Sequence, residues 1–329
     1  MTSREHINEF FNGRTFMILS ALAVIMAAAT SWSLGITPHN DEASGIFFSL
    51  ENSVLGHSAI SCVINVLCLL ITGSIMLALN KVFSYVRTVT HLPASAFFLL
   101  QMANPSGLVA FNSGTLLSLV TAIAAMPLFA AYQDRHSQRS IFLIFALVAA
   151  GTMFHYSFLV LLPAFLLGFL NMGVFNLKGV LAMLFGLITP FWIVLGLGIA
   201  SPADFAQPHI HGIWTLSLQS LSSPMFVLAT ITAVLGVILA VINLPTIMNY
   251  RMQTRVYNAF FVFVLISVII ALCIDYSDMT VFLPLLNLMA AVQVSHAHTL
   301  HTTNHRRYLF IVLLIVGSMA FFAANIMLP

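Results

Sequence analysis

Residues 140–177 read SIFLIFALVAAGTMFHYSFLVLLPAFLLGFLNMGVFNL, without one Asp, Glu, Lys or Arg. As a single helix the stretch would be roughly 55 Å long at ~1.5 Å per residue, far more than the ~30 Å of a bilayer's hydrocarbon core. It must fold back on itself, and the polar pair His155-Tyr156 marks the hairpin. Length also divides residues 88–133, which break between Gln101 and Ser113, where Asn104-Pro105-Ser106-Gly107 supplies turn chemistry.

Working outward from these two breaks gives eleven apolar segments: 15–36, 57–80, 88–103, 113–133, 140–156, 158–175, 179–200, 223–244, 256–274, 279–295 and 308–328. The expected fold is all-α, a single polytopic transmembrane helical bundle over residues 1–329. The eleven basic residues then fall in alternate gaps: Arg4 and Arg14; Lys81 and Arg87; Arg135 and Arg139; Lys178; Arg251 and Arg255; Arg306 and Arg307. The other gaps hold Asp41, Glu42, Glu51, Asp204, Asp275 and Asp278 and no cation. By the positive-inside rule the N-terminus lies inside and the C-terminus outside, as expected of a bacterial cytoplasmic (inner) membrane.

Composition leaves no alternative solvent. Of 329 residues 60% are hydrophobic and 6% charged, with a mean hydropathy of +1.03, whereas soluble domains carry about 25% charge. A net charge of +2, spread over short loops, argues against nucleic acid as a partner. Cys62, Cys68 and Cys273 lie in apolar runs and are expected to be small buried residues rather than disulfide or metal partners. The first apolar run continues past Ala27-Ala28-Ala29 to Ile36 and is expected to be a retained signal anchor. Residues 1–14 set Ile7, Phe10 and Phe11 against Arg4, Glu5 and Glu9, an amphipathic cytoplasmic helix. Pro93, Pro127, Pro163, Pro190 and Pro284 fall in or beside apolar runs and are expected to kink helices.

The two main outer loops, 37–56 and 201–222, carry the candidate chemistry. Asp41 and Glu42 place adjacent carboxylates at the outer surface, candidates for a general base or for ligands of a divalent metal. Asp204, His209 and His211 are a candidate metal half-site, since imidazoles two residues apart share a side of an extended segment. Asp275 and Asp278 would join them if the loops converge. His296, His298, His301 and His305, before Arg306 and Arg307, are expected to extend the tenth helix into water. Within the spans the polar residues are amides and hydroxyls, including Asn65, Gln101, Asn112, Gln219, Asn287 and Gln293. No carboxylate or lysine lies mid-helix, which disfavours a proton-driven carrier.

The acidic pair Asp41-Glu42 in a first outer loop, on a multi-span chain, resembles the GT-C-fold membrane glycosyltransferases. The resemblance implies a lipid-linked sugar as partner and a polyprenyl-phosphate-sugar donor. The chain departs from that pattern in having a brief loop, no soluble C-terminal domain and no outer cation for a lipid phosphate. Thr152 to Pro163, Phe175 to Lys178 and Gly186 to Trp192 are similar to an uncharacterised family of bacterial polytopic integral-membrane proteins, which implies architecture and no activity. Three functions stay open at this level: an envelope-biogenesis transferase, a noncatalytic membrane subunit that docks other membrane proteins through small residues such as Gly196-Leu-Gly198 or the alanines of 121–125, and a small-solute or lipid transporter.

Overall fold

The computed structural model describes residues 3–38, 45–48, 58–174, 176–205, 207, 210–217, 223–300 and 307–327. Its helices are α1 (Ser3–Asn12), α2 (Arg14–Ser33), α3 (Ala59–Phe83), α4 (Leu92–Met102), α5 (Ser106–Val109), α6 (Ser113–Ala130), α7 (Gln138–Phe154), α8 (Leu161–Asn171), α9 (Leu177–Gly196), α10 (Pro224–Ile247), α11 (Met252–Ile274), α12 (Met279–Leu300) and α13 (Arg307–Met327). Each of the eleven expected segments carries a helix. The hairpin turns at His155, where a 3₁₀ turn, Tyr156–Val160, leads into α8. Among the described residues eight helices are long and apolar enough to cross a membrane, and the α4, α7 and α8 segments are shorter.

The connections gather at two ends. At one, the carbonyl of Asn12 accepts from the His91 N–H (3.2 Å), the Asn80 amide donates to the Thr88 carbonyl (3.0 Å) and the Asn176 amide donates to the Arg135 carbonyl (3.0 Å). The Arg87 guanidinium donates to the Tyr250 hydroxyl (3.0 Å) and lies 4.8 Å from its ring centre. Lys81, Arg87, Arg135, Arg139, Lys178, Arg251 and Arg255 all belong to this basic end. At the other, the Ile46 N–H donates to the Thr152 carbonyl (3.2 Å), Tyr276 N–H to the His211 carbonyl (2.9 Å) and the Asn325 amide to the Ala103 carbonyl (3.1 Å). Asp204, Asp275 and Asp278 sit there with no described Lys or Arg.

The least apolar helix is the most buried. Helix α12, the least apolar of the eight, has 94% of its central window buried, while α9 has 11% and α13 17%. Helices α4, α6, α10 and α11 surround α12. The outer helices present Leu22, Met26, Leu67, Phe185, Trp192, Val241 and Leu313 outward. Apolar groups facing outward and polar groups facing inward need lipid as solvent, because lipid offers amides and hydroxyls no partners.

Close approach holds α12 in place. A Cβ on Gly114 would stand 2.5 Å from the Val281 carbonyl oxygen, so α6 and α12 meet backbone to backbone only through glycine. Gly186 of α9 does the same against Phe142 of α7, 2.6 Å from its carbonyl oxygen. Ala122, Ala124 and Ala125 are packed inside the chain, whereas Gly196 and Gly198 have open space around them. Cys62 is buried but Cys273 is exposed, against expectation, because it lies on the outward side of α11.

Pro93 begins α4 and costs that helix no hydrogen bond, while Pro127, Pro190 and Pro284 lie inside theirs. The N-terminal helix α1 forms as expected; Phe11 is buried edge-on against Phe16 (5.0 Å), with Phe10 exposed.

Candidate functional site

The third expected span, 88–103, is helical over only part of its length. Helix α4 has 11 residues, about 16 Å at ~1.5 Å per residue, and all of them are buried. Residues 103–112 then run irregularly, with α5 as a single turn, until Asn112 caps α6 by accepting from the Thr115 N–H (2.8 Å). Irregular backbone at membrane depth persists only where other groups answer its carbonyls and N–H groups.

Here the buried amides find their use. The Asn65 Nδ2 donates to the carbonyls of Gly107 (2.9 Å) and Leu108 (3.1 Å), and Asn112 Nδ2 to those of Gly107 (3.1 Å) and Ala110 (3.2 Å). Asn287 Nδ2 reaches the Leu100 carbonyl (3.3 Å) in the last turn of α4, and Asn325 the next exposed one, Ala103. Gln101 donates to the carbonyl of Pro284 (3.4 Å), and Ser61 Oγ accepts from the Phe111 N–H (2.9 Å). Three helices, α3, α12 and α13, thus supply polar side chains to the broken segment and the end of α4. Asn65 and Asn287 are fully buried, and neither contact is visible from sequence spacing.

Because α4 stops early, the cation-free end is hollowed beside it. A recess of about 540 Å³ lies between the end of α2, the broken segment, the start of α10 and the end of α13. Thr37, Asn104, Ser106 and Asn325 give it polar walls, and Met225 and Leu228 apolar ones. The Asn104 Oδ1 accepts from Ser106 Oγ (3.0 Å) and Gly107 N–H (3.3 Å). Its Nδ2 lies against Gly107, so a Cβ at that position would push the amide aside.

A second polar cluster joins the two outer hairpins. Ser157 Oγ donates to Asp278 Oδ2 at 2.6 Å, and the Ser157 N–H donates to His155 Nδ1 at 3.2 Å. The imidazole is therefore the Nε2–H tautomer. Its Nδ1 stands 3.9 Å from the same carboxylate oxygen, beyond hydrogen-bonding reach. His155 is 1% exposed, since Gly45 to Phe48 fold across the end of α7. The Asp278 carboxylate, at the start of α12, lies where the helix dipole favours an anion.

The predicted site residues divide. Asp41, Glu42 and His209 lie outside the described residues, as do His301, His305 and Arg306. Asp204 is exposed and accepts from the Ser201 N–H (2.7 Å) and hydroxyl (2.9 Å), closing a capping box. Those two donors hold its carboxyl below the usual value of 3.8. His211 is exposed and held by its backbone, whose N–H donates to Asp275 Oδ1 (3.3 Å). The 201–217 and 275–278 loops therefore do converge. Among the described residues no group of three His, Cys, Asp or Glu side chains is placed to hold a metal.

The histidines of the tenth span differ from expectation. Helix α12 continues to Leu300, and His296 and His298 are 1% and 2% exposed instead of facing water. His296 packs edge-on against Tyr85 (6.4 Å), and neither of its ring nitrogens has a hydrogen-bond partner among the described residues. Beside it, Gln293 Nε2 donates to Asn258 Oδ1 (3.1 Å) and the Gln293 carbonyl accepts from Asn243 (2.9 Å). Low apolarity does not by itself mark the central helix, since α2 is nearly as low and only one-third buried.

The architecture is that of a multi-pass membrane protein, built around a buried polar helix and a broken one. No protein-family model, no curated protein and no solved structure matches the chain.

Proposed function

We propose that the chain crosses a bacterial cytoplasmic membrane eleven times, N-terminus inside and C-terminus outside, and acts in envelope biogenesis on a ligand reached from the outer face. The single observation that carries this reading is the recess at the cation-free end, whose wall includes Thr37 of the segment leading to Asp41 and Glu42. Chain connectivity supports a role for that pair at the recess. Asp41 is three residues from Pro38, and three extended residues reach about 10 Å.

As a GT-C-like transferase, the protein would use Asp41 as general base and Glu42 as its neighbour. An acceptor hydroxyl attacks the anomeric carbon of a polyprenyl-phosphate sugar as Asp41 takes its proton. The glycosidic C–O bond forms, the bond from the anomeric carbon to phosphate oxygen breaks, and polyprenyl phosphate leaves with the electron pair. No outer Lys or Arg is present to neutralise that phosphate, so a divalent metal is the candidate counter-ion. Asp41→Asn at normal protein abundance should abolish the lipid-linked or glycan product; undiminished product removes the enzymatic reading. Impermeant labelling of cysteines placed at residue 45 and near the C-terminus should modify both from outside intact cells.

A transporter is the second reading, favoured by the Asn243–Gln293–Asn258 chain and by buried His296. Solute uptake that persists in Asp41→Asn but fails in Gln293→Leu would favour it.

A further inference from the structure

The chemistry of the recess lining restricts what it can hold. Its polar groups are two amides, Asn104 and Asn325, and two hydroxyls, Thr37 and Ser106; none of the described lining residues is ionisable. A phosphate or carboxylate seated there would lose water without gaining a countercharge from the described lining. Neutral hydroxyls can exchange hydrogen bonds with all four groups.

Asn104 adds a second observation. It is 4% exposed, and its Oδ1 accepts from Ser106 and Gly107, which fixes this amide in the wall of the recess. Met225 and Leu228 form an apolar wall beside it. A volume of about 540 Å³ lies within the ordinary range for small-molecule sites, roughly 300–1,000 Å³.

We infer that the recess binds the uncharged, hydroxyl-rich headgroup of an amphiphile, with its alkyl chain along Met225 and Leu228. The inference rests on the outer-face reading above and adds the ligand class: the neutral partner in transfer, not the phosphate-bearing one.

The test uses full-length protein in nanodiscs of zwitterionic lipid and radiolabelled octyl glucoside below its micelle concentration, with octyl phosphate as competitor. Saturable binding above empty discs is expected, with octyl phosphate weaker by about tenfold or more. Leu228→Trp, which narrows the recess at its apolar wall, should weaken binding. Thr37→Arg, at an exposed rim position, should lower glucoside affinity and raise that of octyl phosphate. Partitioning no greater than into empty discs, equal competition by octyl phosphate, or indifference to both substitutions would overturn the inference. A product assay sensitive to Asp41→Asn alongside absent glucoside binding would reject this ligand class and leave the transferase reading standing.

Discussion

Replacing Asn65 tests whether buried amides hold the broken segment. Asn65 is fully buried, and its Nδ2 makes two hydrogen bonds, to the carbonyls of Gly107 and Leu108. Leucine keeps the volume close and removes both donors. Neither carbonyl is wholly abandoned, since Asn112 Nδ2 still reaches Gly107 and Cys62 Sγ lies 3.6 Å from the Leu108 oxygen. Side-chain hydrogen bonds within membranes average about 0.6 kcal/mol each, and soluble proteins give about 1 kcal/mol. Two such bonds predict a loss of about 1–2 kcal/mol for Asn65→Leu. Asn65→Asp separates this account from simple packing, because an ionised carboxylate has no donor and would face two carbonyl oxygens in a dry site. Its loss should exceed that of leucine, reaching about 3 kcal/mol or more. Reversible unfolding in mixed detergent–SDS micelles, followed by tryptophan fluorescence, gives both numbers. A leucine variant as stable as the parent, or an aspartate variant no worse than leucine, would refute the assignment.

Gly114→Ala should destabilise by about 1–3 kcal/mol, because the new Cβ meets the Val281 backbone rather than a movable side chain. Gly317→Ala, mid-helix in α13 with open space around it, should instead gain about 0.5–1 kcal/mol in the same unfolding assay. Ser157→Ala removes the 2.6 Å hydroxyl donor from the buried Asp278 carboxylate and should cost about 1.5–3 kcal/mol; a neutral outcome would show that Asp278 relies on other partners. For Asp204 the folded carboxyl is depressed, so its contribution to the loop is present above the unfolded value and disappears as pH falls through the folded one. Ser201→Ala removes the hydroxyl and leaves the stronger backbone donor, so it should raise the titration midpoint part of the way toward 3.8, read by carbon NMR of aspartate-labelled protein; an unmoved midpoint would exclude the hydroxyl as a cause.

What could be read in advance follows from locality. Length alone forced the turn at His155 and the break after Gln101, and both occur there, because hydrocarbon thickness limits helix length whatever the neighbours are. The segregation of Lys and Arg to alternate gaps becomes, in three dimensions, a basic end and a cation-free end. The short α4 was legible only in part. Pro93 and Asn104-Pro105-Ser106-Gly107 marked its limits, but nothing local said that an 11-residue helix would be sealed inside the bundle.

Sequence by itself determined the solvent, the number of apolar segments and the sorting of charge, since these depend on composition and on spans short enough to scan by eye. Tertiary structure alone decided which segment sits in the middle, that Asn65, Asn287 and Asn325 answer carbonyls of one broken stretch, and that Ser157 meets Asp278 across 121 positions of chain. It also reversed the water-facing place expected for His296 and His298. The physical reason is that lipid rewards apolarity on every outward face equally, so apolar patterning cannot rank the helices. Polar groups do rank them: the amides move inward until other backbones supply their partners, and those partners lie far away along the chain.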